Sequence, residues 1–226
     1  LAPTVKTPPA LSWDGGDQPL PPIHPLLARR LRLPQSAEHR FETWITLDRL
    51  PFLNDHRVYG LPVFPAAGFL EMALAAAREL LPGTVQIEDV DLLAPLRLDD
   101  TGRAWTQLLA VPGSDEAVTF HIFHCPEDAA PVKLVSGWLR RIIPAVPAPL
   151  PNLESLRRQW PEASADDFYA GFQQRRLDDG PGFRGVLRLW RSAGAALAEG
   201  AAPAMLTDLD AYQLHPAFLD AALQVL

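Results

Sequence analysis

Three observations predict an α+β fold for this chain. The alanine-rich segment from about Gly68 to Leu81 is apolar on nearly every side, as expected of a helix buried in a core rather than lying on a surface. Four runs with strand length and composition follow it, separated by turn signals. A proline cluster, Pro144, Pro147, Pro149 and Pro151, then separates a second part that again mixes helix and strand.

In chain order, residues 1–22 carry Pro3, Pro8, Pro9, Pro19, Pro21 and Pro22 with Gly15-Gly16, a composition that favours extended linker over packed structure. With neither a start methionine nor a targeting signal, this leader reads as the edge of a domain cut from a longer multidomain enzyme. Residues 23–143 form the first part. Arg40 to Leu47, rich in Phe, Trp, Ile and Thr, is a strand, and Asn54-Asp55 marks the loop before His56. The apolar helix ends at Pro82-Gly83. Strands follow over Val85 to Leu98, Ala104 to Val111, Ala117 to Cys125 and Val132 to Ile143. Residues 144–152 are a second proline-rich linker, and residues 153–226 form the second part. Ser164-Ala165-Asp166-Asp167 starts a helix through Phe168, Tyr169 and Phe172 in the manner of a capping box. Strands at Val186 to Trp190 and Ala195 to Glu199 precede a last apolar helix carrying Asp220. Measured against the first part, the second sheet is incomplete.

Composition narrows the function. A hydrophobic content of 48% over 226 residues supports a sizeable core, and 21% charged residues argues against disorder of the body. A net charge of -7 disfavours a nucleic-acid backbone as partner. No apolar run reaches the roughly 18 residues that span a bilayer, and no signal peptide is present, so a cytoplasmic location is expected. The single cysteine, Cys125, leaves no internal disulfide. Strand alternation puts His121 and Cys125 on one face and His124 on the other, which argues against a metal site. Arg157-Arg158 and Arg175-Arg176 read as solvated helix faces.

Two segments carry chemistry. His56, Gly60 and Pro65 give a His-x3-Gly-x4-Pro spacing just before the buried helix, which places an imidazole near a helix N-terminus. Near the end of the chain, Asp220 and Gln224 lie four apart on one helix face, with Pro216 suited to its first turn and His215 to its cap. An unperturbed histidine, near about 6.5, is mostly neutral at pH 7 and ready to act as a base. An aspartate acts as an acid only if burial raises its pKa, and Phe218, Leu219, Ala222 and Leu223 provide an apolar neighbourhood for Asp220.

These segments, with the opening His24-Pro25-Leu26-Leu27 and the Gly180-Pro181-Gly182-Phe183 stretch, resemble the dehydratase domain of modular type I polyketide synthases in both order and separation. The resemblance covers the chain from about His24 to its last residue. It implies a double hotdog, two halves each with a buried helix wrapped by an antiparallel sheet, the second half incomplete here. It implies syn elimination of water from a 3-hydroxyacyl thioester, with His56 removing the proton beside the carbonyl and Asp220 protonating the departing hydroxyl. Gln224 would orient that carboxyl, Gly60 would allow a close backbone approach, and Pro65 would set the start of the helix whose amides face the thioester oxygen. Gly180, Pro181 and Phe183 would line the substrate channel together with Asp178 and Asp179. No intrinsic metal or redox cofactor is implied. The acyl group rides on the phosphopantetheine of an acyl carrier protein, so that carrier and neighbouring synthase domains are the expected partners, with a homodimer left open. The family often has tyrosine before Gly-Pro-x-Phe where this chain has Leu177-Asp178-Asp179, and often glycine where it has Ala66. Both aspartates are expected to face solvent in a turn, as Asp-Gly-Pro sequences favour. Relatives that also move the double bond or close a cyclic ether stay open as alternatives, as does a non-catalytic scaffold, against which the intact His56 and Asp220 pair argues.

Overall fold

The computed structural model describes residues 22–31, 33–113, 117–144 and 149–226, so most of the leader, Ser114 and Pro147 lie outside it. Strand β1 (Arg29–Leu31) pairs with β2 (His39–Thr46), and a 3₁₀ turn over Pro51–Asp55 leads into β3 (His56–Val58) and β4 (Leu61–Pro62). Helix α1 (Ala66–Leu80) is followed by β5 (Thr84–Leu92), β6 (Arg103–Pro112), β7 (Ala117–His124) and β8 (Val132–Ile142). These strands form one antiparallel sheet in the order β1-β2-β6-β7-β8-β5, against which α1 packs. Helix and sheet approach closely because the contact is built from small residues. Ala73, Ala76 and Ala77 on α1 face inward, as do Ala104, Leu108 and Ala110, which alternate along β6. Gly137 leaves room for Phe120, since a Cβ there would fall 2.8 Å from that ring.

The strand expected over Val85 to Leu98 stops at Leu92. A bulge between Glu88 and Asp91, with Asp89 at φ 48°, turns the chain, and Pro95 could not donate to a ladder. The released segment crosses to β4, where Phe64 N–H donates to Leu96 O at 2.9 Å. Helix α1 starts at Ala66, with Pro65 in extended geometry as its cap.

After the linker come α2 (Leu153–Gln159), β9 (Glu162–Ala163), α3 (Ala165–Gln174), β10 (Leu177–Asp179), a 3₁₀ turn over Pro181–Phe183, β11 (Val186–Ser192), β12 (Ala195–Gly200) and α4 (Pro216–Leu223). Asn152 caps α2 by accepting Ser155 N–H, and Ser164 caps α3 by accepting Asp167 N–H. The sheet β12-β11-β9 and helices α3 and α4 enclose a small core around Tyr169, Val186, Leu189 and Ala221. Of the two arginine pairs, Arg158, Arg175 and Arg176 are exposed and Arg157 is not. Arg157 is half-buried, paired with Glu154 and Glu199 and lying over Trp190. Arg175 caps the end of α3, and Arg176 is in the turn beyond it at φ 62°.

Two features join the halves. Strand β10 pairs antiparallel with β3, forming the small sheet β10-β3-β4. The larger core also draws Phe183, Leu206, Tyr212 and Ala217 from beyond residue 153, so α4 packs beside α1.

Candidate active site

His56 opens β3, and its hairpin partner holds it in place. Tyr59 at φ 53° and Gly60 at φ 79° make the two-residue turn that returns the chain as β4. Open space surrounds Gly60, with nothing within 4 Å of where a Cβ would sit, so the glycine supplies the backbone conformation and not the close approach expected from sequence. The return brings Val63 O to 2.7 Å from His56 Nδ1. A carbonyl only accepts, so Nδ1 carries the proton and Nε2 keeps its lone pair. Phe183, fully buried, packs against the imidazole with ring centroids 4.9 Å apart.

The segment bearing Phe183 is fastened to the residue before His56. Gly180 N–H donates to Asp55 O at 2.7 Å, and Gly182 N–H donates to Asp55 Oδ2 at 2.8 Å. A Cβ on Gly180 would fall 2.6 Å from Asp55 Cγ, so this glycine is required for space. Pro181 begins the 3₁₀ turn and is exposed. In the sequence Asp55 is part of the Asn54-Asp55 loop signal and nothing more. Its position directly before His56 was the available signal.

Asp178 and Asp179 do not form a solvent-facing turn. They lie in β10, where Asp178 pairs with Arg57 and Asp179 with His56, so strand alternation puts Asp179 on the side of the imidazole. Asp179 is 8% exposed, and burial pushes its carboxyl up to about 6, helped by the nearby Asp220 and opposed by His56. Asp178 is half-buried.

The second carboxyl stands on α4. His215 caps that helix, its Nδ1 accepting Ala217 N–H at 3.2 Å, and Pro216 occupies the first turn. Burial lowers the His215 pKa, keeping the cap neutral. One turn on, Asp220 points to the same side as Gln224, whose Nε2 lies 2.9 Å from Asp220 Oδ2 and 3.2 Å from Asp179 Oδ2. Burial raises the Asp220 pKa, against the opposing pull of His56 and of the Gln224 hydrogen bond. The flanking apolar residues do not provide this setting, because Ala222 and Leu223 are exposed and Phe218 and Leu219 only half-buried. Beside Asp220, α4 packs on Gly185, where a Cβ would fall 2.9 Å from Ala221 Cβ.

Behind the site, Glu71 fixes the approach to α4. This fully buried residue of α1 accepts Gln213 N–H at 2.7 Å and Leu214 N–H at 3.1 Å. His24 Nε2 lies 3.1 Å from it and donates, since His24 Nδ1 accepts Leu26 N–H. Tyr212 packs edge-on against both His24 and His215. The sequence signal for Glu71 is an acid in the midst of the apolar stretch from Ala66 to Ala77. Among the described residues, no group of three or more His, Cys, Asp or Glu converges as metal ligands. A groove of about 770 Å³ opens between α3, β11, β12 and the end of α4, with Gln224 on its wall.

Known proteins are similar to this chain in sequence and in fold. Residues 24–125 match the family described as polyketide synthase dehydratase domain, and residues 148–226 match that described as polyketide synthase dehydratase N-terminal domain. The chain is 36% identical over 211 residues to the spectinabilin polyketide synthase system protein NorA' of Streptomyces orinoci, covering 88% of this chain but only 6% of that protein. Among solved structures, the dehydratase domain from the CurF module of curacin polyketide synthase superposes with a TM-score of 0.84 at 31% identity, over 89% of this chain and 75% of that one. Two inactive mutants of CurK dehydratase match at 29% identity, with TM-scores of 0.81 and 0.82 over 89% and 90% of this chain and 72% and 73% of theirs. One carries an aspartate-to-asparagine change and the other histidine-to-phenylalanine.

Proposed function

The chain belongs to the polyketide synthase dehydratase domains, a hotdog-fold family, and from that membership we propose that it dehydrates a 3-hydroxyacyl thioester presented on the phosphopantetheine arm of an acyl carrier protein. The observation that carries this reading is the pairing of a histidine whose Nε2 can accept a proton with an aspartate whose carboxyl pKa is raised by burial. His56 Nε2 takes the proton from the carbon next to the thioester carbonyl. The electrons of that C–H bond form the new alkene as the C–O bond at the next carbon breaks, and the departing oxygen takes the Asp220 proton to leave as water. The imidazolium then returns its proton to the Asp220 carboxylate, which resets the site. Gln224 holds the Asp220 carboxyl in orientation, Pro65 sets the start of α1, and Phe183 packs against the His56 ring. That the inactive CurK mutants are altered at a histidine and an aspartate supports the two assignments. The acyl carrier protein and neighbouring synthase domains are the partners this reaction requires.

The test is mass spectrometry of the full-length protein incubated with 3-hydroxyacyl thioesters of several chain lengths. Loss of the mass of one water is expected, and a product of unchanged mass at every chain length would sink the reading. His56→Ala should lower that turnover by about 10²- to 10⁴-fold, the usual contribution of a positioned acid or base.

A further inference from the structure

The elimination consumes nothing from Asp179, yet the fold buries this carboxyl beside the two groups that react. Asp179 stands directly across β3 and β10 from His56, on the same face of the ladder. Its Oδ2 lies 3.2 Å from Gln224 Nε2, the nitrogen that is also 2.9 Å from Asp220 Oδ2. A primary amide has two N–H bonds, so one Gln224 side chain can hold both carboxyls at once. The other charged or titratable groups around Asp179 leave this pair intact. Asp55 is occupied by Gly182 N–H, Arg57 lies across from Asp178, and Arg184 Nε donates to the Asp179 backbone carbonyl at 2.8 Å and not to its carboxylate. Tyr169 on α3 is engaged with Val186 N–H. Among the described residues, Gln224 alone hydrogen-bonds the Asp179 carboxylate.

We propose that Asp179 is a positioning residue for the elimination: with Asp220 it forms a carboxyl pair, bridged by the Gln224 amide, that keeps one acid proton beside His56. Two carboxylates held this way in little water resist ionising together, because the charge on one opposes charge on the other. The pair therefore holds one proton at a pH where an isolated carboxyl would have lost it. The charge left on the pair faces the imidazolium that forms when His56 takes the substrate proton. Asp179 ends each turnover in the state in which it began, so it adds no reactant to the balance. The inference rests on the dehydratase reading above.

Asp179→Asn tests it in the full-length protein, since the amide keeps the shape and can still accept from Gln224. With a 3-hydroxyacyl thioester, the alkaline fall of kcat should move to lower pH by about one unit, an approximately tenfold loss above it, with little change in KM. Asp179→Glu should restore the wild-type profile. A variant profile that superimposes on wild type, or a rise in KM with kcat unchanged, would overturn the proposal. So would a change in the position of the product double bond, which would mean that Asp179 acts on the acyl chain. A second measurement needs no turnover: ¹³C NMR titration of labelled aspartate carboxyls. The Asp220 midpoint should fall by about one unit in Asp179→Asn, and an unmoved midpoint refutes the pairing even if no thioester is dehydrated. If wild type dehydrates nothing while Asp179→Asn still shows this shift relative to it, the dehydratase reading falls and the pair stands.

Discussion

Replacing Asp179 by asparagine is expected to stabilise this protein above neutral pH while slowing it. The folded carboxyl titrates at about 6 instead of the ordinary 3.8, so the folded state binds that proton more tightly than the unfolded chain does. Between these two values folding takes up a proton, and stability falls as pH rises through the window. Above the folded value the full penalty applies. About two units at about 1.4 kcal/mol each gives about 3 kcal/mol, little screened because Asp179 is only 8% exposed. Asparagine carries no charge and escapes the penalty. Urea unfolding of wild type and Asp179→Asn should therefore give similar stabilities near about pH 4 and a variant more stable by up to about 3 kcal/mol near about pH 8. In thermal scans that corresponds to roughly 6 to 12 °C for a chain of this size. A stability difference that does not depend on pH, or a variant less stable at the alkaline end, would refute the claim that Asp179 is buried as a strained anion. Higher stability with lower turnover is the usual exchange at a site built from disfavoured charge.

Gln224→Ala should slow dehydration by several-fold, the equivalent of about 1 kcal/mol for an orienting hydrogen bond, whereas Asp220→Ala removes the proton donor and should cost about 10²-fold or more; steady-state rates showing equal losses would contradict the ranking. Glu71→Ala leaves His24 Nε2–H and the Gln213 and Leu214 N–H groups unpaired in the interior, so chemical unfolding should show a loss of about 3 kcal/mol or more, with Glu71→Gln milder. Gly180→Ala forces a methyl against the Asp55 carboxylate 2.6 Å away, and activity should fall more than in Gly60→Ala, where only φ is strained and space is open. Equal activities in these two glycine variants would mean that the Asp55 fastening does not position the site.

Local pattern carried much of this protein. The all-round apolar stretch is α1, strand-like runs became β2, β6, β7 and β8 within a residue or two, and Ser164 caps α3 as its sequence suggests. The spacing of Asp220 and Gln224 put both on one face of α4, which followed from helix period alone. Motif order was enough to suggest the dehydratase family before any contact was known. Such features are legible because they depend on residues a few positions apart.

What only the tertiary structure decided depends on segments far apart in the chain. Asp-Gly-Pro reads locally as an exposed turn, yet pairing of β10 with β3 buries Asp179 beside His56, a contact that no local period encodes. Asp55 grips Gly182 across 127 positions, and Glu71 holds Gln213 across 142. Gln224 joins Asp220 to Asp179 of β10, whereas the apolar residues that flank Asp220 in sequence are exposed or half-buried. Sequence therefore named the groups able to accept or donate a proton. Their protonation was left to the fold, because burial and the charge of a facing side chain shift a pKa, and both are properties of what a segment packs against.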